Sequence, residues 1–390
     1  MISGALRRMN RRQLITVAGA GIAFLALLVN LEFFFRPGVD DVLGGLAHHA
    51  FVLGCMLLLT VYSRTVSLRT LGIFWLLGVW TVYAVAYQLE SQLASLLGVS
   101  AKGEFVGVWL APFVEETTKL LPVAVFFLLA SRRGYRHPSM SDGMLLGFMV
   151  GAGVSFQEDA QLGSIQLSGA GWGAATPWAA IFPTISPVGQ VFALNHALWA
   201  ALSGLSIGTA VMLRHWRLAW PIALVGPLLS LTNHMMLNHF AGNVFELVGR
   251  AKVPQPFLAI RDLTDGGRLP MLVLIVGVLA VVAGEWLILR WAGKRDRMFP
   301  PLSASRVFGL FARAPTKAGF GHLLAAERYL RLRNSIYYAG WQTKLTGGSP
   351  GVTDTDHDQL TSLVAPNVLP SPGTQPDTSL PADTPATPSA

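Results

Sequence analysis

The chain has 390 residues, of which 52% are hydrophobic and only 13% charged, with a mean hydropathy of +0.49 and a net charge of +8. Soluble domains carry about 25% charged residues, so the composition excludes an ordinary soluble enzyme and points to a membrane protein with no nucleic-acid partner. Cys55 is the only cysteine, which excludes an intramolecular disulfide and a multi-cysteine metal site.

Apolar blocks near the ~20 residues that cross a bilayer recur along the chain. They read as about eight spans: Leu14–Phe35, Leu43–Tyr62, Leu71–Gln88, Phe105–Leu129, Gly143–Ala160, Val191–Leu213, Leu218–Phe240 and Met271–Trp291. The expected fold is an all-α polytopic membrane protein with a disordered cytoplasmic C-terminal tail. Arg7, Arg8, Arg11 and Arg12 precede the first block. That block exceeds the about 7–15 apolar residues of a signal peptide, and no small-residue cleavage site is evident, so a retained helix is expected.

Arginine clusters fall at every second loop: Arg64 and Arg69, then Arg132, Arg133 and Arg136, then Arg214 and Arg217, then Lys294–Arg297. The positive-inside rule places both termini in the cytoplasm. The outer loop Ala241–Pro270 is the exception, with Arg250, Lys252, Arg261 and Arg268. The chain divides into N-terminal anchor helices (1–104), a four-helix membrane core (105–240), an outer loop with the last span (241–291), a basic cytoplasmic segment (292–346) and a tail (347–390). In the basic segment, His322–Trp341 alternates Leu and Tyr with Arg328, Arg331 and Arg333, as suits a helix on an anionic leaflet. The tail is rich in Pro, Ser, Thr and Asp and has no Lys or Arg, so it is expected to be disordered. The loop Gln161–Gln190 is uncharged and rich in Gly, Ala, Pro and Trp; a lid or substrate gate dipping into the membrane is expected there.

The core carries polar residues where they are costly. Glu115, Glu116 and Lys119 interrupt the apolar run Val106–Val125, and a charge at the centre of a membrane helix costs about 2.5–3.5 kcal/mol on insertion scales. Glu115 shares a helix face with Ala111 and Lys119, and Pro112 breaks the hydrogen-bond ladder one turn earlier. In the next span Gly143, Gly147 and Gly151 recur every fourth residue, a spacing that lets helices approach closely. Glu158, seven residues after Gly151, lies on the same face. His196 is followed by Ala200, Ser203, Gly204 and Gly208, again a close-approach face. Ser230, His234 and Asn238 form one stripe. At about 1.5 Å rise per residue, these groups reach one zone below the extracytoplasmic surface.

Each residue alone has a structural explanation. A Glu–Lys pair at i, i+4 can neutralise itself, a lone histidine can be a packing residue, and His234 and Asn238 can tie helices together. His48, His49, His239 and Glu285 read as structural; neutralising Lys119 across the bundle is a minor alternative for Glu285. The constellation reads as functional.

EETTK (Glu115–Lys119) resembles the EExxK motif of the PrsW family, which is similar to the CAAX-type protease superfamily. FQED (Phe156–Asp159) resembles its second motif, His196 with its small-residue run the third, and His234–Asn238 the closing HxxxN. The resemblance covers Phe105–Phe240, about a third of the chain. It implies a membrane-embedded endopeptidase, some members of which clip membrane-anchored regulators such as anti-sigma factors. Glu158 stands where the CAAX-processing branch has histidine.

Hydrolysis needs an activated water, an oxyanion donor and an acid for the leaving amine. Glu115 or Glu116 is the expected base, Glu115 being preferred. Either Glu158, His196 and His234 ligate a divalent metal such as zinc, or glutamate and histidine polarise the water while His234 and Asn238 bind the oxyanion; the absence of HExxH weighs against the metal. The substrate is expected to be a single-span membrane protein. A transporter or proton pathway is the first alternative, since buried acids and histidines also mark such routes, although no inverted repeat is visible. A non-catalytic membrane scaffold is the second, a fate with precedent in the related scaffold subunit of γ-secretase.

Overall fold

The computed structural model describes residues 39–101, 103–132, 137–162, 194–241, 255–295 and 317–346. Among these residues every regular element is a helix. The helices are α1 (Val39–Thr60), α2 (Leu68–Leu96), α3 (Ala111–Arg132), α4 (Met140–Leu162), α5 (His196–Met212), α6 (Ala219–Ala241), α7 (Gln255–Leu263), α8 (Arg268–Arg295) and α9 (Lys317–Thr346). Helix α2 contains a π-helical turn at Leu77–Val82, and a second π turn, Phe105–Leu110, leads into α3. Leu68–Leu96 and Ala259–Ala292 are long and apolar enough to cross a membrane, and α5 is apolar but shorter. The expected span Leu14–Phe35, the loop 163–193 and the tail lie outside the described residues.

Helix α4 is the hub. Its residues 140–157 are buried on every side, as befits a helix apolar all round. Its glycine stripe sets the approach of α5. A Cβ at Gly143, Gly147 or Gly151 would collide with the carbonyl oxygen of Gly204, Ala200 or His196 respectively, so only glycine permits this backbone contact. On another face, Gly153 meets Trp75 and Gly78 of α2 in the same manner. Helix α2 therefore belongs to the bundle around α4 and does more than anchor the chain, extending the core expected over 105–240. Large apolar side chains point outward from the periphery, among them Leu121 and Leu128 of α3, Leu224 and Leu228 of α6, and Leu272 and Leu279 of α8; lipid-facing helices require such a surface.

The ends that follow the arginine-rich loops are tied by hydrogen bonds to backbone. Asp142, fully buried, accepts from the N–H groups of Thr65 (2.9 Å), Val66 (3.0 Å) and Ser139 (2.8 Å) and from the Thr65 hydroxyl. Glu285 of α8 accepts the Ser141 N–H at 2.7 Å, which places its carboxylate at the positive N-terminus of α4. This placement suits a structural role for Glu285 and not the alternative pairing with Lys119: its partner is the start of α4.

Helix α9 lies across this end. Asn334 donates to the Tyr62 carbonyl (2.8 Å), Gln342 to the Met212 carbonyl (2.6 Å), and Glu327 pairs with Arg64 at 3.1 Å. Tyr329 and Tyr338 are fully buried, so the Tyr-rich face of this basic segment packs on protein. Arg328 stays exposed, and Arg333 stacks over Tyr337, 4.6 Å from the ring centre.

Candidate functional site

The opposite end of the bundle brings together Glu115, Glu116 and Lys119 from α3, Glu158 from α4, His196 from α5 and His234 from α6. Local structure explains how each is presented. Asn195 caps α5 by accepting the Leu198 N–H at 2.9 Å, so His196 occupies the first helical position at the open end of the helix. Glu158 continues the Gly143–Gly147–Gly151 face that touches α5. Pro112 ends the π turn before α3: the Ala111 N–H bonds to the Val106 carbonyl, and the next donor in an i, i+5 pattern would be residue 112, which has no N–H. Asn238 donates to the Gly107 carbonyl instead, at 2.8 Å. Asn238 thus fastens α6 to the approach of α3. The oxyanion role considered for it gains no support from this placement.

At the centre is Lys119, whose side chain is completely buried and whose Nζ lies 2.6 Å from Glu116 Oε1, 2.5 Å from His196 Nδ1 and 3.6 Å from Glu115 Oε2. An ammonium has no lone pair, so His196 Nδ1 accepts from Lys119. The ring's hydrogen is then on Nε2, which donates to Glu158 Oε2 at 2.5 Å. His234 donates from Nδ1 to Glu116 Oε1 at 3.0 Å, so its lone pair is on Nε2. Each histidine therefore has a glutamate on one nitrogen, Glu158 for His196 and Glu116 for His234, an arrangement that fixes tautomer and ring orientation in metal centres.

The ring of Trp199 stacks on His234 with centroids 4.2 Å apart and 15° between planes, and its Nε1 donates to Asn233 Oδ1 at 2.8 Å. The same oxygen accepts the Leu194 N–H at 2.9 Å. Asn233 thereby clamps the entrance of α5 to α6. Ser230 accepts from the Ser203 hydroxyl and donates to the Trp199 carbonyl, a helix-tying role.

Accessibility is graded. Glu158 retains 31% side-chain exposure, Glu115 19% and His196 11%, against 4% for Glu116 and His234. Among the described residues, the buried Oε2 atoms of Glu115 and Glu116 have no hydrogen-bond partner.

One ligand atom each from Glu115, His196 and His234 lies within 4.8 Å of the others. Two imidazoles, a carboxylate and an orphaned carboxylate oxygen suit a zinc-class ion. The carboxylate grouped with both histidines is Glu115, whereas Glu158, the ligand expected from the sequence, sits on the other nitrogen of His196.

Helix α2 adds two groups that sequence reading missed. Tyr83 and Glu90 lie within electrostatic reach of both Glu115 and Glu158. Their i, i+7 spacing on one face of an apolar span was the available signal. His49 packs edge-on against Phe148 and the buried His239 lies 3.7 Å from Glu104, both apart from the cluster. The side chains of His48 and Asp159 and the expected lid fall outside what the structure describes.

A protein-family model described as PrsW family intramembrane metalloprotease matches residues 66–261 of this chain, about half its length. The match begins just before α2 and runs into α7, so it takes in all the helices that contribute to the cluster. No curated protein and no solved structure matches the chain.

Proposed function

The chain belongs to the PrsW family of intramembrane metalloproteases, and from that premise we propose that it cleaves single-span membrane proteins near the extracytoplasmic face, an anti-sigma-type regulator being one such substrate. The observation that supports this reading is the convergence of Glu115, His196 and His234 on one point, with a second glutamate behind each histidine. In this reading the protein spans the membrane several times with both termini in the cytoplasm, and anionic lipid meets the exposed basic residues of α9.

Glu115, His196 and His234 would hold a divalent ion, which when bound supplies Lewis acidity to water and to the scissile carbonyl. The remaining chemistry belongs to side chains. Glu158, the most exposed carboxylate of the cluster, lies across the His196 ring from the ion and would take the water's proton through one intervening water. The water oxygen bonds to the carbonyl carbon, the C–N bond breaks, and the proton passes from Glu158 to the departing amine. Glu116 holds the His234 ring through Nδ1, and Trp199 supports its face.

The test separates the two outer glutamates. Comparative membrane proteomics of wild type against Glu115→Ala identifies the substrate as a single-span protein that accumulates. With that substrate, Glu115→Ala and Glu158→Gln each lower cleavage by about 1000-fold, but only Glu115→Ala loses the bound ion, measured by metal analysis of purified protein. Loss of the ion in Glu158→Gln with retention in Glu115→Ala would exchange the two roles. Intact cleavage in both variants would leave a non-catalytic scaffold.

A further inference from the structure

The point at which Glu115 and His196 converge is held by a cation that belongs to the chain. Lys119 Nζ is hydrogen-bonded to His196 Nδ1 at 2.5 Å and lies 3.6 Å from Glu115 Oε2. The other His196 nitrogen is engaged by Glu158, so Nδ1 is the lone pair that an ion would need. A lone pair cannot serve an ammonium and a metal together. We infer that Lys119 is an internal counter-cation occupying the metal position, and that an ion loads only when the ammonium swings away from His196 and Glu115. The inference rests on the metallopeptidase reading above and concerns how that site is regulated.

The structure also supplies a seat for the displaced ammonium. Glu116 already holds Lys119 at 2.6 Å through Oε1, while its buried Oε2 has no hydrogen-bond partner among the described residues. The Trp199 ring lies 5.7 Å from Nζ, within cation–π range. Lys119 can therefore leave His196 while remaining a paired ammonium on Glu116 above an aromatic face. On this account the adjacent glutamates have different tasks: Glu116 keeps the lysine, and Glu115 becomes free for the ion. The exchange also keeps the cluster charge-balanced in the ion's absence, because burying its carboxylates without a counter-charge would be costly.

The test is ion affinity, read without reference to cleavage. Purified full-length wild type, Lys119→Met and the charge-balanced double variant Glu116→Gln/Lys119→Met are titrated with Zn²⁺ against a competing chelator at fixed pH, and with Co²⁺ followed by its absorption spectrum. Removal of the ammonium is expected to tighten binding at least about tenfold, a change of about 1.4 kcal/mol, with the same ligand-field bands in all three proteins. Where the single variant does not fold, the double variant carries the comparison. Equal or weaker binding in the variants overturns the inference and leaves the metallopeptidase reading standing. Failure of all three to bind either ion, with His196→Ala as the blank, removes that reading and the inference with it.

Discussion

The two ends of this bundle use buried acids in opposite ways. At the end behind the arginine-rich loops, Asp142 and Glu285 accept from main-chain N–H groups of Thr65, Val66, Ser139 and Ser141. At the other end, Glu115, Glu116 and Glu158 are in contact with Lys119, His196 and His234. A carboxylate with both oxygens satisfied, as Asp142 has by three backbone N–H groups and the Thr65 hydroxyl, fixes where chain segments meet and has little left to exchange. A carboxylate satisfied by an ammonium or imidazole can trade that partner for a proton, a water or an ion. The partners of a buried acid, more than its burial, thus separate architecture from chemistry here.

The contrast is breakable, most strongly at His196. His196→Ala is expected to lower cleavage by about 1000-fold while moving the thermal midpoint by only a few degrees, because the α4–α5 contact rests on glycines and not on the imidazole. A collapse of folding instead would make the outer cluster structural. Asp142→Ala should show the converse. It orphans the donors of Thr65, Val66 and Ser139, each worth about 1–3 kcal/mol when buried unpaired, so unfolding in detergent should show a loss of about 3 kcal/mol. Turnover per folded molecule should not change; a fall in turnover would couple the two ends.

Asn238→Ala is intermediate. It leaves the Gly107 carbonyl without its side-chain donor, with an expected stability loss of about 1 kcal/mol. It should also lower activity about tenfold through misplacement of α3, as loss of supporting partners does at metal centres. A catalytic oxyanion donor would instead show a much larger loss in kcat.

The smallest effect is at the arginine-rich end, in the loop before α4. Burial, and then the charge of Arg214, hold His137 below the ordinary imidazole pKa. The unfolded chain therefore binds a proton that the folded chain resists, so stability falls as pH drops below about 6.5. The decline should be shallower in His137→Asn, followed by thermal unfolding between about pH 5 and 8. An unchanged slope would assign the pH response to other groups.

Much of the site was legible because the membrane makes polar residues conspicuous. Glu115, Glu116, Glu158, His196 and His234 all stand out against apolar runs, and the glycine and alanine spacing shows which faces turn inward. Asn238 was legible as a residue but not as a role, since its acceptor, the Gly107 carbonyl, becomes available only through the π turn and Pro112. Tyr83 and Glu90 were missed because α2 looked like a plain anchor until Gly153 brought it against α4.

The sequence by itself determined the helical class, the family motifs and the conspicuous polar groups Glu115, Glu116, Glu158, His196 and His234, because 3.6-residue periodicity and the cost of buried charge are local properties. Only the tertiary structure decided how those groups pair. Glu115 rather than Glu158 lies within 4.8 Å of a ring nitrogen on each of the two histidines, Glu285 meets the start of α4, and Lys119 stands at the centre of the cluster. Those choices depend on ångström-scale distances between helices, set by where glycine allows one backbone to touch another, and no periodicity along the chain encodes them directly.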